Sequence, residues 1–202
     1  MTAAIEFAAA PFRAAGSNIV CVEMKDGPAG IVTESELLDA VAPMLSYALA
    51  VEADAAAFVI ACFGDPGLHL LRERLKCQVF GIGECGVLAA LARGQRFGVI
   101  SLLQSSIPRH MRWFGAMGVH SRLAGDRAMG LGVADLKNRD AMFSRMVEVG
   151  QMLKQQDGAD VILMGGAAMS FHRAALEAEL EMPVIDPNFA ALTWADGVSK
   201  LR

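Results

Sequence analysis

"FVIACFGDPGLHLLRERLKCQVFGIG" spans residues 58–83, and its reading decides the architecture. It opens on an unbroken run of branched and aromatic residues and passes through Cys62 into a Gly-Asp-Pro-Gly turn. A Leu/Arg/Glu stretch of helical length follows, then a second short apolar run. A half-wetted strand would alternate apolar and polar residues; a continuous run reads as a strand covered on both faces. Two such strands joined by a helical crossover form a right-handed parallel unit.

The same pattern recurs along the chain. Strands are predicted at "NIVCVEM" (18–24), "AFVIACF" (57–63), "QVFGI" (78–82), "FGVISLL" (97–103), "DVILMG" (160–165) and "MPVID" (182–186). Helices are predicted over 34–52, 66–76, 86–94, 108–117, 138–157, 169–181 and 188–201. The class is α/β with parallel sheets. The opening stretch also aligns with "ILMGGAAMSFHRAALEAELEMPVIDP" some 104 residues later, matching Cys62 to Gly166. Two pseudo-symmetric lobes follow from that echo, with a ligand cleft between them at the carboxyl ends of the strands. The first lobe is assigned to 1–94, rejoined by 188–202, and the second to 95–187. The start is unusual, since a helix over 3–15, capped by Thr2 and bent at Pro11, has no strand before it. Either the sheet is one strand short or the natural reading frame begins further upstream.

The 202 residues carry a net charge of −4 with no basic block, which argues against nucleic acid as a partner. No window reaches the roughly 18 apolar residues of a membrane span, and "MTAAIEFAAAPFRAAG" is a poor signal peptide. A cytoplasmic protein acting on a small molecule is expected. Cys21, Cys62, Cys77 and Cys85 show no C-x-x-C spacing and the four histidines are scattered, so neither a metal nor a redox motif is expected.

Cys62 ends a strand, and Pro66 is placed to open the next helix. Amides of Phe63, Gly64 and Asp65 could then face the loop, lowering the thiol pKa and attracting an anion. A thiolate beside N–H donors suits abstraction of a proton next to a carbonyl; an inert buried cysteine is the plainer alternative. "GIGECG" (81–86) satisfies G-x-G-x-x-G, but the following strand ends "LLQSS" without the acid that holds a ribose, so a dinucleotide is not expected. Glu84 and Cys85 could line the cleft or simply form a tight turn. Ser101, Ser105 and Ser106 could hold a polar ligand or cap a helix begun by Pro108. "GGAAM" (165–169) lets backbone amides approach a ligand closely. His172 is a candidate base, although a satisfied or exposed histidine is the commoner case. His69, His110 and His120 have no evident partners, and the Met-rich tracts at 111–117 and 142–152 read as packing.

Together, "IACFGDPGL", "VFGIGE", "FGVISLLQSSIP" and "GADVILMGGAAM…MPVID" resemble the aspartate/glutamate/hydantoin racemase superfamily, most closely its hydantoin- and allantoin-racemase branch. The resemblance covers nearly the whole chain, and it implies a two-lobed, cofactor-free, oligomeric isomerase. In such enzymes one cysteine per lobe works on opposite faces of Cα, and Cys62 matches the first. With that resemblance, the amides of Phe63, Gly64, Gly166 and Ala167 are expected to stabilise the developing enolate, Ser101 to orient the substrate, and Gly165 to line its site. The family's first strand, which ends in an Asn-Thr/Ser loop, has no counterpart here. Gly166 stands where the family motif Gly-Cys-Ala-Gly-Met has its second cysteine, and Leu102 replaces a second hydroxyl. The resemblance therefore leaves three expectations: a racemase-type isomerase using Cys62, a one-thiol decarboxylase of the arylmalonate type, or a ligand-binding homologue without turnover.

Overall fold

The computed structural model describes residues 2–200. Residues 201 and 202, the end of the predicted last helix and of the first lobe's returning segment, lie outside the described residues, as does Met1. The order of elements is α1 (Thr2–Ala14), α2 (Glu34–Asp39), α3 (Val41–Val51), β1 (Ala57–Ile60), α4 (Leu68–Arg74), β2 (Gln78–Gly81), α5 (Ile82–Arg93) and β3 (Phe97–Ser101). It continues with α6 (Ile107–Ala116), β4 (Leu123–Ala128), α7 (Arg139–Gln155), β5 (Val161–Gly165), α8 (Arg173–Leu180), β6 (Val184–Ile185) and α9 (Pro187–Ser199).

Every strand pairing among the described residues is parallel, and the strands form two sheets. The first holds β1 and β2 alone. The second runs β4-β3-β5-β6. The two-sheet α/β class expected from the sequence is what forms. β3 and β5 lie centrally and every residue of each is buried, the environment their unbroken apolar sequences require. One face of this sheet carries Ile100, Ile162 and Met164 onto Met142, Met146 and Leu153 of α7 and Leu176 of α8. The other carries Phe97, Val99, Val161 and Leu163 onto Val87 and Ala90 of α5 and Phe114 of α6. α9 packs back on β1, β2 and α5.

Several local expectations need correction. The segment 18–24 is no strand. Ile19 and Cys21 pack with Val59 over Ala8, Ala9 and Leu192, whereas Val20 (72% exposed) and Val22 face outward. A strand exists only where a neighbouring chain takes its amides, and β1 pairs only with β2. The helix predicted over 34–52 breaks at Ala40 into α2, closed by a Thr33/Glu36 capping box, and α3. The stretch 169–181 divides into a 3-10 turn over Ala167–His172 and α8. α5 begins at Ile82, four residues earlier than predicted. β4 has no counterpart among the predictions. It is an edge strand, half-buried along its length, and "LAGDRA" has no apolar run to announce it.

The strand order places the topological switch point, where a crevice is expected. From β3 the chain moves outward to β4, and from β5 it moves the opposite way to β6, so connections diverge at the carboxyl ends of β3 and β5. Ser101 and Gly165 stand paired at that point.

Candidate active site

β1 ends at Ile60, and Ala61 leads to Cys62, whose residue keeps part of its surface open to solvent. Around the sulfur the packing is dense. Met44, Leu45 and Phe58 border the same apolar cluster, and Leu37 lies against Gly64, where a Cβ would come within 2.7 Å of its Cδ1. The sulfur's surroundings, more than the accessible edge, govern its ionisation. Burial pushes the thiol up to about 11; Asp65's charge adds to this, while the Gly64 N–H and Arg109 pull it back.

This overturns the expected low pKa. Pro66 does not open a helix. Asp65 and Gly67 both take positive φ (43° and 68°), and α4 starts only at Leu68. The Asp65 N–H closes a turn onto the Cys62 carbonyl (2.9 Å), leaving the Gly64 N–H to face the sulfur. The helix start expected at Pro66 is therefore not there to lower the thiol pKa.

Asp65 explains the glycine pattern at 81–86. Its carboxyl accepts from the Gly83 N–H (2.9 Å) and the Glu84 N–H (2.7 Å), so it fills the N-terminus of α5 where a phosphate would otherwise bind. A Cβ on Gly81 would overlap this carboxyl, and one on Gly83 would overlap the Phe63 carbonyl oxygen and approach Trp113 Cη2 to 2.7 Å. The G-x-G-x-x-G motif is thus a closure for the Cys62 loop. Burial pushes Asp65 up to about 7, against the pull of those two N–H groups.

Phe63 turns inward, 5% exposed, and joins the second sheet's core beside Val99 and Leu163. Its ring lies edge-on to His110 (5.3 Å) and Trp113 (5.8 Å), both on α6. The residue after the thiol therefore anchors the first lobe's loop into the second. His110 has partners that its sequence neighbourhood does not announce: its Nδ1 lies 2.8 Å from Asp126 Oδ2, and Ser101 donates to Asp126 Oδ1 at 2.5 Å. Ser101 is 0% exposed, so its hydroxyl is engaged inside the protein and closed to solvent.

In the second lobe, Gly165 is closed against strand β3, for a Cβ there would meet the Ile100 carbonyl at 2.7 Å. Gly166 differs. Its backbone is extended (φ −176°), and a Cβ would find only Met169 Cε at 3.5 Å and Leu102 Cδ1 at 3.7 Å. Ala167 packs with Phe80, Ile82 and Cys85, which ties this loop to the first lobe. Asn188 fixes it from behind, donating to the Ala167 carbonyl and to Ser170 Oγ, both at 2.9 Å. Cys85 is sealed at 1% exposure, its thiol pushed up to about 12 by burial and by Asp65 and Glu84. His172 stacks on Phe143 of α7 and is held below the usual imidazole range by burial and by Arg139. Ser105 is exposed, and Ser106 donates to the Leu103 carbonyl.

Two cavities lie elsewhere. One of about 430 Å³ adjoins β4 and α7; another of about 500 Å³ lies between α1 and the Ser170–Arg173 turn. Neither is lined by Cys62 or Gly166, and the chemistry of the thiol loop outweighs their size as a guide. Among the described residues no group of three His, Cys, Asp or Glu side chains is placed to hold a metal ion, and no helix is long and apolar enough to cross a membrane.

Comparisons with known proteins agree with this fold. The family model described as Asp/Glu/Hydantoin racemase matches residues 1–195. A hydantoin racemase from Pseudomonas sp. (strain NS671) is 33% identical over 203 residues, covering 100% of this chain and 82% of that protein. The structure of the allantoin racemase from Klebsiella pneumoniae superposes with a TM-score of 0.90 at 28% identity, over 99% of this chain and 82% of that one. A doubly substituted arylmalonate decarboxylase reaches a TM-score of 0.66 at 15% identity, over 84% of this chain and 78% of that one, a likeness of fold alone.

Proposed function

The chain belongs to the Asp/Glu/hydantoin racemase family, and from that premise we propose that Cys62 moves the proton on the ring carbon next to the carbonyl of a hydantoin-like cyclic amide. The observation that carries this reading is the thiol loop: a partly open cysteine at the end of β1, with the Gly64 N–H facing its sulfur. The relatives named for hydantoin and allantoin support a ring substrate. In the step itself the C–H electron pair moves toward the carbonyl, the proton goes to sulfur, and the oxygen becomes an enolate. The amides of Phe63, Gly165, Gly166 and Ala167 are the backbone donors assigned to the bound ring and its enolate. Ser101 works from beneath, holding Asp126 and His110, and through His110 the Phe63 anchor.

A thiol with a pKa of about 11 rests protonated at neutral pH. It becomes a strong base when it ionises, so exchange depends on a small thiolate fraction. Gly166 offers no proton to the opposite face. Exchange with solvent from the Cys62 face is therefore faster than inversion. The test is deuterium incorporation at C5 of allantoin and of single-enantiomer 5-substituted hydantoins in D2O. Loss of incorporation in Cys62→Ala supports the reading; equal incorporation by that variant defeats it.

The resting, protonated thiol also favours a second reading. A malonate-type acid that loses CO2 makes its own carbanion, which needs a single proton donor and no base. Release of CO2 together with one product enantiomer would select this alternative.

A further inference from the structure

α6 also carries Arg109, which sequence reasoning passed over. Its Nε is buried and has no hydrogen-bond partner, and its Nη1 reaches the Val32 carbonyl only at 3.3 Å. No carboxylate pairs with it among the described residues. The acids in its neighbourhood are engaged elsewhere. Asp65 caps α5, Asp126 holds Ser101 and His110, and Glu34 faces Arg112. A guanidinium held against protein without a counter-ion is unfavourable, and such a group is completed by an anion.

Its position says which anion. Arg109 Nε lies 3.9 Å from the point a Cβ on Gly64 would occupy, so the side chain passes over the backbone that bears the thiol. Its charge acts on Cys62. Of the donors in this loop, the Gly64 N–H faces sulfur and the Asp65 N–H holds the Cys62 carbonyl. Arg109 Nε–H is a strong donor beside the thiol loop without a hydrogen-bond partner in the protein.

We propose that Arg109 is a catalytic residue of this site, whose guanidinium binds the substrate oxygen that becomes negative as Cys62 takes the proton. As the C–H bond breaks, its electron pair passes to the carbonyl oxygen, and that oxygen meets a fixed positive charge in place of water. For its chemistry the assignment rests on the proton-transfer reading above; its test does not.

Iodoacetate and iodoacetamide alkylate the same sulfur but differ in charge, so the ratio of their rates at Cys62 reports an anion site beside the thiol. The measurement uses the full chain at pH 9 with peptide mass spectrometry, comparing wild type with Arg109→Gln and Arg109→Lys. The iodoacetate-to-iodoacetamide ratio is expected to fall about tenfold in Arg109→Gln, the scale of one close charge pair at a partly buried position. Arg109→Lys keeps most of the ratio, and Arg109→Met is the neutral replacement that decides should the Gln protein melt early. For a neutral hydantoin Arg109→Gln lowers kcat by about 100-fold with KM nearly unchanged, as loss of an oxyanion donor does, and Arg109→Lys lowers it less. A residue that merely ties α6 to Val32 would leave the alkylation ratio alone, and an unchanged ratio overturns the proposal. A high ratio without any deuterium exchange would sink the proton-transfer reading and leave Arg109 as an anion site. A Cys62 that reacts with neither reagent overturns both.

Discussion

Replacing Gly166 with cysteine tests the proposal that it faces the substrate from the side opposite Cys62, and the structure sets the size of the effect. The residue is extended at φ −176° and ψ 145°, so a side chain meets no left-handed strain. Its Cβ would stand 3.5 Å from Met169 Cε and 3.7–3.8 Å from Leu102, which are ordinary contacts. Removing glycine's extra freedom in the unfolded chain favours the folded form by about 0.4–1 kcal/mol. The net change in stability should thus stay within about 1 kcal/mol by denaturant melt. A positioned acid or base contributes about 10²–10⁴-fold to a proton transfer. Gly166→Cys should therefore speed interconversion of hydantoin enantiomers, followed by chiral chromatography, at least about 100-fold over wild type. Gly166→Ala, with the same Cβ and no thiol, should leave the rate unchanged. A Cys variant no faster than the Ala variant, or one that loses more than about 2 kcal/mol, would refute the placement of Gly166 opposite Cys62.

Three further outcomes follow from the thiol loop. With its thiol near 11, Cys62 should alkylate, and the enzyme should exchange deuterium, about tenfold faster per pH unit between pH 7 and 10; a plateau reached by pH 8 would contradict the burial argument. Asp65 is ionised at pH 9 and its charge raises the Cys62 pKa, so Asp65→Asn should lower that pKa and quicken alkylation at pH 9. A slower reaction in a folded variant would show that the sulfur does not feel this carboxylate. Gly83→Ala forces a methyl onto the Phe63 carbonyl and toward Trp113, and should lose about 3 kcal/mol or more in a urea melt; a near-neutral change would mean the α5 terminus is not closed by this loop.

Much of the architecture was legible because fully covered strands leave unbroken apolar runs. β3 and β5, buried throughout, and β2, buried over three of its four residues, fall inside predicted segments for that reason; β1 and β6 do so too, although β1 is buried only at Ile60 and β6 only at Val184. The pattern misleads where coverage is partial. "NIVCVEM" has strand-like residues but no neighbouring strand takes its amides, and Val20 stays exposed. β4 lies at an edge and is polar because Asp126 turns inward onto Ser101 and His110 while Arg127 pairs with Asp157. At the site, Cys62 and Gly166 could be singled out by motif and internal echo. His110, Asp126 and Arg109 could not, because their significance lies in long-range pairing: 16 residues separate His110 from Asp126, and 77 separate Arg109 from Val32. The local sequence implies helix entry at Pro66, two residues before α4 begins, and with it a thiol pKa lower than burial leaves. In the structure Asp65 and Gly67 hold the chain off the helix until Leu68.

The most direct test of the central claim follows the C5 proton of a single-enantiomer 5-substituted hydantoin by NMR in D2O, with wild type and Cys62→Ala side by side. The wild-type chain should wash in deuterium with the starting configuration largely retained, because only one face carries a thiol, and the variant should do no better than buffer. Wash-in that survives loss of the sulfur, or wild-type inversion as fast as exchange, would contradict the account.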